Sequence, residues 1–560
     1  MSRSNSLWQR VSANQPPNGS STDPITPVEG EPVRKRTMMR RNKRARIVVL
    51  ATAVLMAVTA CGGSGGASGS NEAGDPDPNG ILKYGYPMPV AGLHFDPTQS
   101  VLTPDVVWMS QVFGTLMRQS EDGVVEPWMA ESGEVVDPQT VRIRLRPAVK
   151  FTDGSAYDAE AVRTSLLRAR TPATPAAKGG MDVSMKVLED VVVVDPLTVE
   201  AKLSAPLAGQ FLIELSQRSG AIQSPKQIAE APDQIDTNPI GAGPFTVATN
   251  TPQQLLSLKR NPTYWDAENV QLGGVDIINT PTGPQQANGL LAGNLDWASY
   301  VSVDSAKRVE SDGRFSTDVS TVYNVEMLMC TGKAPFDNEN VRLAVQSGID
   351  RERYAELAYS GYTEPAYSFY RESNQNFAPQ TKELAGYDQE KAKELLSSAG
   401  DVSFDLHYPT TSITGTEAEV LQSQLKDIGV NANIIGDRDL AAGFITPQKP
   451  GATLVATIGG LGYGLYSRHF APAGFFALCG ADRPDVMAAV NEAAGLAPDD
   501  PKAIEAYRQA QILMAEHAYT VPIVAYPQIA GWNTSRVGGT PKFTAQGYPE
   551  FDSVYIGSKG

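Results

Sequence analysis

A cationic cluster, Arg40 to Arg46, runs straight into fourteen uncharged residues, Ile47 to Ala60 (IVVLATAVLMAVTA), and then into Cys61 and a Gly/Ser-rich stretch. No other feature constrains the chain so strongly. Fourteen apolar residues are too few to cross a bilayer, which takes about 20. They suit the apolar segment of a secretory signal peptide behind its positive flank. The residues that follow, GGSGGASGSNEAGDPDPNG, form a flexible tether that no packed helix would continue into. The fold is therefore expected to begin near residue 81 and to be built outside the cytoplasm.

The end of the run, Val58-Thr59-Ala60-Cys61-Gly62, resembles a bacterial lipobox, in which small residues precede a Cys that is lipidated and becomes the new N-terminus. This implies anchoring through Cys61 on the outer side of the cytoplasmic membrane. Arg40-Arg41 is followed by Asn42 and Lys43 where a twin-arginine signal carries apolar residues, which favours the general secretory route. Residues 1–37 are polar and read as disordered, and initiation at Met38 or Met39 is expected. The reading is thus a leader and signal peptide over 1–60 and a tether over 61–80.

The chain has 560 residues, enough for two to four domains. Its net charge of −15 divides into +7 over residues 1–60 and −22 from Cys61 onward. So acidic a body argues against nucleic acid as a partner. Beyond Cys61 only Cys330 and Cys479 remain. The compartment permits a disulfide between them, and two separate buried thiols are the alternative.

Past the tether, strands and helices alternate. Gly80 to Tyr86, Val141 to Leu145, two runs within Lys186 to Leu203, Ser403 to Tyr408 and Val430 to Ile435 read as strands. Thr103 to Met117, Ala159 to Arg170, Val341 to Ile349, Gln389 to Ala399, Gly415 to Ile428 and Pro501 to His517 read as helices. The mixture predicts an α/β protein of more than one lobe.

Several ordered segments carry a family likeness: Phe95-Asp96-Pro97, Val141 to Ala169 (VRIRLRPAVKFTDGSAYDAEAVRTSLLRA), Pro239 to Phe245 (PIGAGPF), Lys259 to Trp265 (KRNPTYW), Gly293 to Asp296, Pro335 to Arg351, Tyr387 to Gly400, Gln424 to Val430 and Ala515 to Ile523. In this order they resemble family 5 of the ABC-transporter extracellular solute-binding proteins, the family of dipeptide-, oligopeptide- and nickel-binding proteins. Read from the residues alone, the motif positions are structural. Asp153-Gly154 makes a turn, and Gly241 and Gly243 allow close backbone. Asn261-Pro262 starts a turn that Tyr264 and Trp265 anchor in the core. Asp350-Arg351 is a local charged pair.

The resemblance implies a two-lobed periplasmic-binding-protein-like fold with a ligand cavity between the lobes. The first lobe would comprise 81–118, 236–325 and 526–560, with an extra subdomain over 119–235. The second would be 326–525. It implies a monomer that closes on a small-molecule or peptide-like solute and docks on ABC permease subunits whose ATPases are separate chains. No cofactor and no metal are expected. Peptide-binding members hold the ligand's ammonium with an Asp in the second lobe, yet the corresponding stretch, Ala456 to Phe470, contains no acid. A buried ammonium without a counter-charge is costly, so a neutral, anionic, blocked or modified solute is expected there. The candidate ligand contacts are Phe95, Trp108, Tyr323, Asn324, Tyr367, Tyr463, Tyr466 and His469.

No enzyme is expected. Gly62-Gly63-Ser64-Gly65-Gly66 fits G-x-S-x-G only in the tether, where a nucleophile elbow has no strand before it or helix after it. A surface receptor that serves no importer is the second reading, and neighbouring permease and ATPase genes would discriminate between the two.

Overall fold

The alternation at the start of the body builds strand β1 (Ile81–Tyr86). The computed structural model describes residues 73–558 except 89–92, 101–104, 175–182, 459–461, 473 and 481, together with the backbone but not the side chains of 321–323, 458 and 480. The signal segment, Cys61 and most of the tether lie outside the described residues. The helix expected over Thr103 to Met117 is shorter, Val106–Phe113. Gly114 ends it at φ +66, where an added Cβ would lie 2.4 Å from Met129 Cγ. The chain then turns into strand β2 (Met117–Gln119), which pairs with β3 (Val125–Pro127).

Four antiparallel strands follow: β4 (Ala130–Asp137), β5 (Thr140–Leu145), β6 (Leu188–Asp195) and β7 (Thr198–Leu203), in the order β4-β5-β7-β6. Val141, Ile143 and Leu145 point into the core, while Arg142 and Arg144 reach Glu200 and Glu131 on the other face. Helix Ala159–Ala169 packs on this sheet, capped by Asp158, whose carboxylate accepts from Ala161 N at 3.0 Å. From that helix Arg168 grips Asp96 with two bonds of 2.6 Å. Burial opposes the Asp96 charge, but Arg168 and Thr98 hold its carboxyl below the usual range. The Phe95-Asp96-Pro97 segment is thereby tied to the four-stranded sheet.

Strands β8 (Phe245–Thr251), β9 (Leu255–Arg260), β10 (Gly274–Asn279) and β11 (Trp297–Val301) precede β12 (Phe315–Met329), which is 15 residues long. Strands β13 (Val402–Pro409), β14 (Val430–Asp437) and β15 (Ala452–Ile458) come next, then β16 (Thr520–Asn533). A short pair, β17 (Val537–Gly539) and β18 (Val554–Ile556), closes the chain. The large sheet runs β14-β13-β15-β12-β16-β11-β1-β10-β9-β8. Among the described strands, only β12 and β16 traverse both of its halves. Phe315 to Ser320 pairs with Asn533 to Gln528 beside β11, and Tyr323 to Met329 pairs with β15. The register of β12 on β16 shifts between Ser320 and Tyr323. Separate cores flank the halves. One lies around Leu82, Tyr84, Trp108 and Trp297, the other around Val325, Val345, Leu421 and Leu454.

Three motif positions behave as turns. Asp153 accepts from Ser155 N at 2.9 Å and from Ser224 Oγ at 2.5 Å, with Gly154 at φ +84. Gly241 and Gly243 lie against the end of helix Val106–Phe113, where a Cβ would come within 2.0 Å of Val112 O and 2.7 Å of Gln111 O. Asn261, before Pro262, donates to Gly243 O at 2.9 Å and accepts from Thr263 N at 3.0 Å.

Two expectations are corrected. Tyr264 is buried and accepts from Trp128 Nε1, but Trp265 is 38% exposed, with the Arg146 guanidinium 3.9 Å from its ring centroid. It walls a cavity of about 160 Å³ against the C-terminal segment rather than filling the core. Asp350 and Arg351 do not pair. Asp350 caps helix Arg351–Tyr359 by accepting from Arg353 N at 3.0 Å. Arg351 turns inward, 2% exposed, and donates to the carbonyls of Ala366, Pro522, Gln346, Ile349 and Ala385. A planar cation with five donors satisfies several otherwise open carbonyls at once, which a carboxylate partner would prevent.

Cys330, after β12, and Cys479 are joined in a disulfide, with Cα atoms 5.1 Å apart. The bond closes a sequence separation of 149 residues. Cross-links over long loops restrict the unfolded chain most, so Cys330→Ser/Cys479→Ser is expected to lose about 2–5 kcal/mol of stability. Chemical denaturation monitored by fluorescence checks this.

Candidate functional site

The segment that carries the two small sheets, β2–β3 and β4-β5-β7-β6, meets the second half of the large sheet away from β12 and β16. On one side stand the β2–β3 turn and helix Ala208–Glu214. On the other stand the loop 363–377 and helix Tyr463–Phe470. Asn374 Nδ2 donates to Asp122 O at 3.0 Å. Gly464 N donates to Gln210 Oε1 at 3.2 Å, and Gln210 Nε2 donates to Glu214 at 3.0 Å. The packing is closest at Gly209, where an added Cβ would sit 1.7 Å from Leu496 O. Together these contacts form a seam across the cleft.

The seam is lined by polar groups. Asn324, on β12, donates to the carbonyls of Ser368 and Phe369 at 3.1 and 3.2 Å. Tyr367 is half-buried, with the Arg351 guanidinium 5.1 Å from its ring centroid. Tyr370 OH accepts from Gly462 N at 3.3 Å. Arg371 follows, and its Nη2 is buried without a hydrogen bond. Burial pulls its pKa down to about 10, against the opposing fields of Glu364 and Glu121. Glu121, in the β2–β3 turn, is shifted up by burial and by Asp318 and Asp122, against Arg371 and Lys542.

The candidate contacts read from the sequence separate into two groups. Asn324, Tyr367 and Tyr463 stand at the seam. Tyr323 lies on β12, and its side chain is outside the described residues. The other four are packed inside. Phe95 is fully buried, and its N–H donates to Asp236 at 2.8 Å. Trp108 is fully buried and donates to His94 O at 2.9 Å. Tyr466 stacks on Tyr507 and donates to its carbonyl at 3.3 Å. His469 is 2% exposed, with Nδ1 2.9 Å from Leu465 O and Nε2 3.1 Å from the wholly buried Glu326. The Ala456 to Phe470 stretch is a strand, then a helix, and the buried face of that helix (Leu465, Tyr466, His469, Phe470) carries both residues into the core.

Arg371, Glu121, Gly209 and Gln210 were not among the sequence candidates, and no pattern marks them. Among the described residues, no group of three or more His, Cys, Asp or Glu is placed to hold a metal. No described helix is long and apolar enough to cross a membrane.

Solved structures share this architecture. DppA from Helicobacter pylori, in complex with the peptide STSA, superposes with a TM-score of 0.70 at 20% identity, covering 86% of this chain and 98% of that one. NikA from Brucella suis, in complex with Fe(III)-EDTA, gives 0.73 at 19%, covering 85% and 100%. The fold is accordingly the two-lobed, mixed α/β architecture of periplasmic binding proteins. The sequence model described as bacterial extracellular solute-binding proteins, family 5 Middle, matches residues 124–462, and the chain belongs to that family. Curated relatives include the glutathione-binding protein GsiB of Pectobacterium atrosepticum, 27% identical over 313 residues, which are 53% of this chain and 58% of that protein. GsiB of Salmonella paratyphi A is 28% identical over 328 residues, 57% and 62% of the two chains. The chain spans about three-fifths of the length of these relatives.

Proposed function

We propose that this protein is the extracytoplasmic binding component of an ABC importer, capturing a small or peptide-like solute between its lobes and delivering it to membrane permeases. The observation that carries the reading is the seam: two bodies joined through β12 and β16 meet across polar and charged groups supplied by both. Closure by hinge motion would centre on the register shift between Ser320 and Tyr323. A solute drives closure only by binding the closed form more tightly than the open one.

On this reading the first lobe comprises 81–118, 236–325 and 526–560, with 119–235 as its subdomain, and the second lobe comprises 326–525. Asn324, Tyr367 and Tyr463 face the solute. The protein is a monomer and not an enzyme, and a lipid on Cys61 holds it to the membrane. The names of the curated relatives and the absence of an acid between Ala456 and Phe470 favour a peptide-like solute other than an ordinary dipeptide.

Native mass spectrometry of protein purified from a host grown in rich medium tests this. A bound mass that leaves on partial unfolding is the expected result. A clean mass, together with no thermal shift across peptides, sugars and organic anions, would overturn the reading, because a solute selective for the native state raises its stability.

A further inference from the structure

The cavity of about 160 Å³ behind Trp265 stands apart from the seam. Its lining comes from helix Val106–Phe113, the β2–β3 pair, the segment 244–270 and the C-terminal segment 544–552, with single residues at Thr115, Trp128, Arg146 and Ser216. No residue of 326–525 lines it, so filling it requires no closure across the seam. A cavity of about 150 Å³ accommodates one benzene ring. Rings also make up much of the wall: Trp128, Phe245, Tyr264, Trp265 and Phe551. The Arg146 guanidinium backs the Trp265 ring at 3.9 Å from its centroid, and its Nε donates to Trp128 O at 2.8 Å.

One polar group of this wall is left open. Gln119, on β2, is 1% exposed. Its Oε1 accepts from Gln546 Nε2, while its own Nε2 is buried with no acceptor. A buried donor without an acceptor is destabilising, and an arriving acceptor removes that penalty. The charges of the wall do not favour an ion. Arg118 stands 3.6 Å from both Glu126 and Asp552, and Arg146 is engaged on Trp265. An anion would therefore meet Asp266, Glu550 and Asp552 with both arginines occupied. An ammonium ion would bring no acceptor to Gln119. We propose that this cavity is a second small-molecule site, which takes a neutral six-membered ring bearing a carbonyl, the ring within the aromatic wall and the oxygen on Gln119 Nε2. The site goes beyond the importer reading and does not depend on it.

Ligand-observed NMR titration of the full chain with benzamide, toluene and benzoate tests this. Benzamide is expected to bind saturably and to raise the melting temperature, with benzoate binding more weakly. Gln119→Met keeps the side-chain length and removes the donor. It is expected to weaken benzamide about fivefold and to leave toluene unchanged, a split that a merely structural glutamine would not produce. Trp265→Leu is expected to weaken both rings, and because Trp265 is 38% exposed this variant decides the matter if Gln119→Met fails to fold. Absence of saturable benzamide binding, benzamide affinity unchanged in either variant, or tighter binding of benzoate than of benzamide overturns the proposal.

Discussion

Glu326→Ala is expected to lose about 3–5 kcal/mol of stability, because it strands the buried imidazole of His469. His469 Nδ1 faces a carbonyl oxygen and its Nε2 faces Glu326. A carbonyl only accepts, so Nδ1 donates to Leu465 O and Nε2 meets the Glu326 carboxyl. Thr520 Oγ1 completes the site, donating to Glu326 Oε2 at 2.7 Å. Burial works against the carboxylate, yet His469, Thr457 and Thr520 hold Glu326 below its ordinary value of 4.5. A carboxyl whose pKa is depressed on folding stabilises the protein above its unfolded value and loses that contribution as pH falls through the folded one. Urea melts at pH 7 and at stepwise lower pH should therefore show a loss beginning near 4.5 that Glu326→Ala no longer displays. Replacing both partners, as Glu326→Leu/His469→Leu, should recover most of the stability, since an apolar pair leaves no charge unpaired. An unchanged denaturation midpoint in Glu326→Ala would refute the account.

Gly209→Val is expected to leave each lobe folded and to abolish closure. The added Cβ would fall 1.7 Å from Leu496 O, a backbone atom that no rotamer change relieves. Helix Ala208–Glu214 must back away, taking Gln210 off Gly464. Gly313→Ala is the control, because a Cβ there meets nothing within 4 Å. Small-angle scattering of solute-saturated protein should show Gly209→Val at its open dimensions and the control compact. Affinity should fall about 100-fold or more, the scale on which a lost closed state reduces apparent binding. Full compaction of Gly209→Val would show that this contact does not limit closure.

The secondary structure was legible wherever one face of an element is buried. The alternation of Val141, Ile143 and Leu145, the cap at Asp158 and the amphipathic run after it all predict what forms. The helix starting near Val106 was overextended because its apolar residues continue past Gly114 into β2, and periodicity does not register a change of element at a single glycine. The site was far less legible. Tyr466 and His469 stand among the candidate contacts, but on helix Tyr463–Phe470 their spacing is that of a buried face. Arg351 next to Asp350 suggested a pair, but the helix cap sends one outward and the other in. Gly209 and Gln210 lie on a short helix whose apolar residues read as core, and their partners Leu496 and Gly464 are brought to them only by the closing of the whole chain.

The two strands shared by both halves of the sheet carry a consequence for biogenesis. The first half begins at Ile81 but borders on β16, which ends at Asn533. The first half is therefore not encoded by an uninterrupted stretch and forms no self-contained unit for expression or recombination, whereas β12 to β16 run in one continuous stretch. As the chain emerges from its N-terminus, the early strands wait for almost the entire polypeptide before their last neighbour arrives. Such a topology keeps the nascent chain unfinished until late. A premature stop anywhere before Thr520 removes the strand that joins β12 to β11, and with it the link between the two halves.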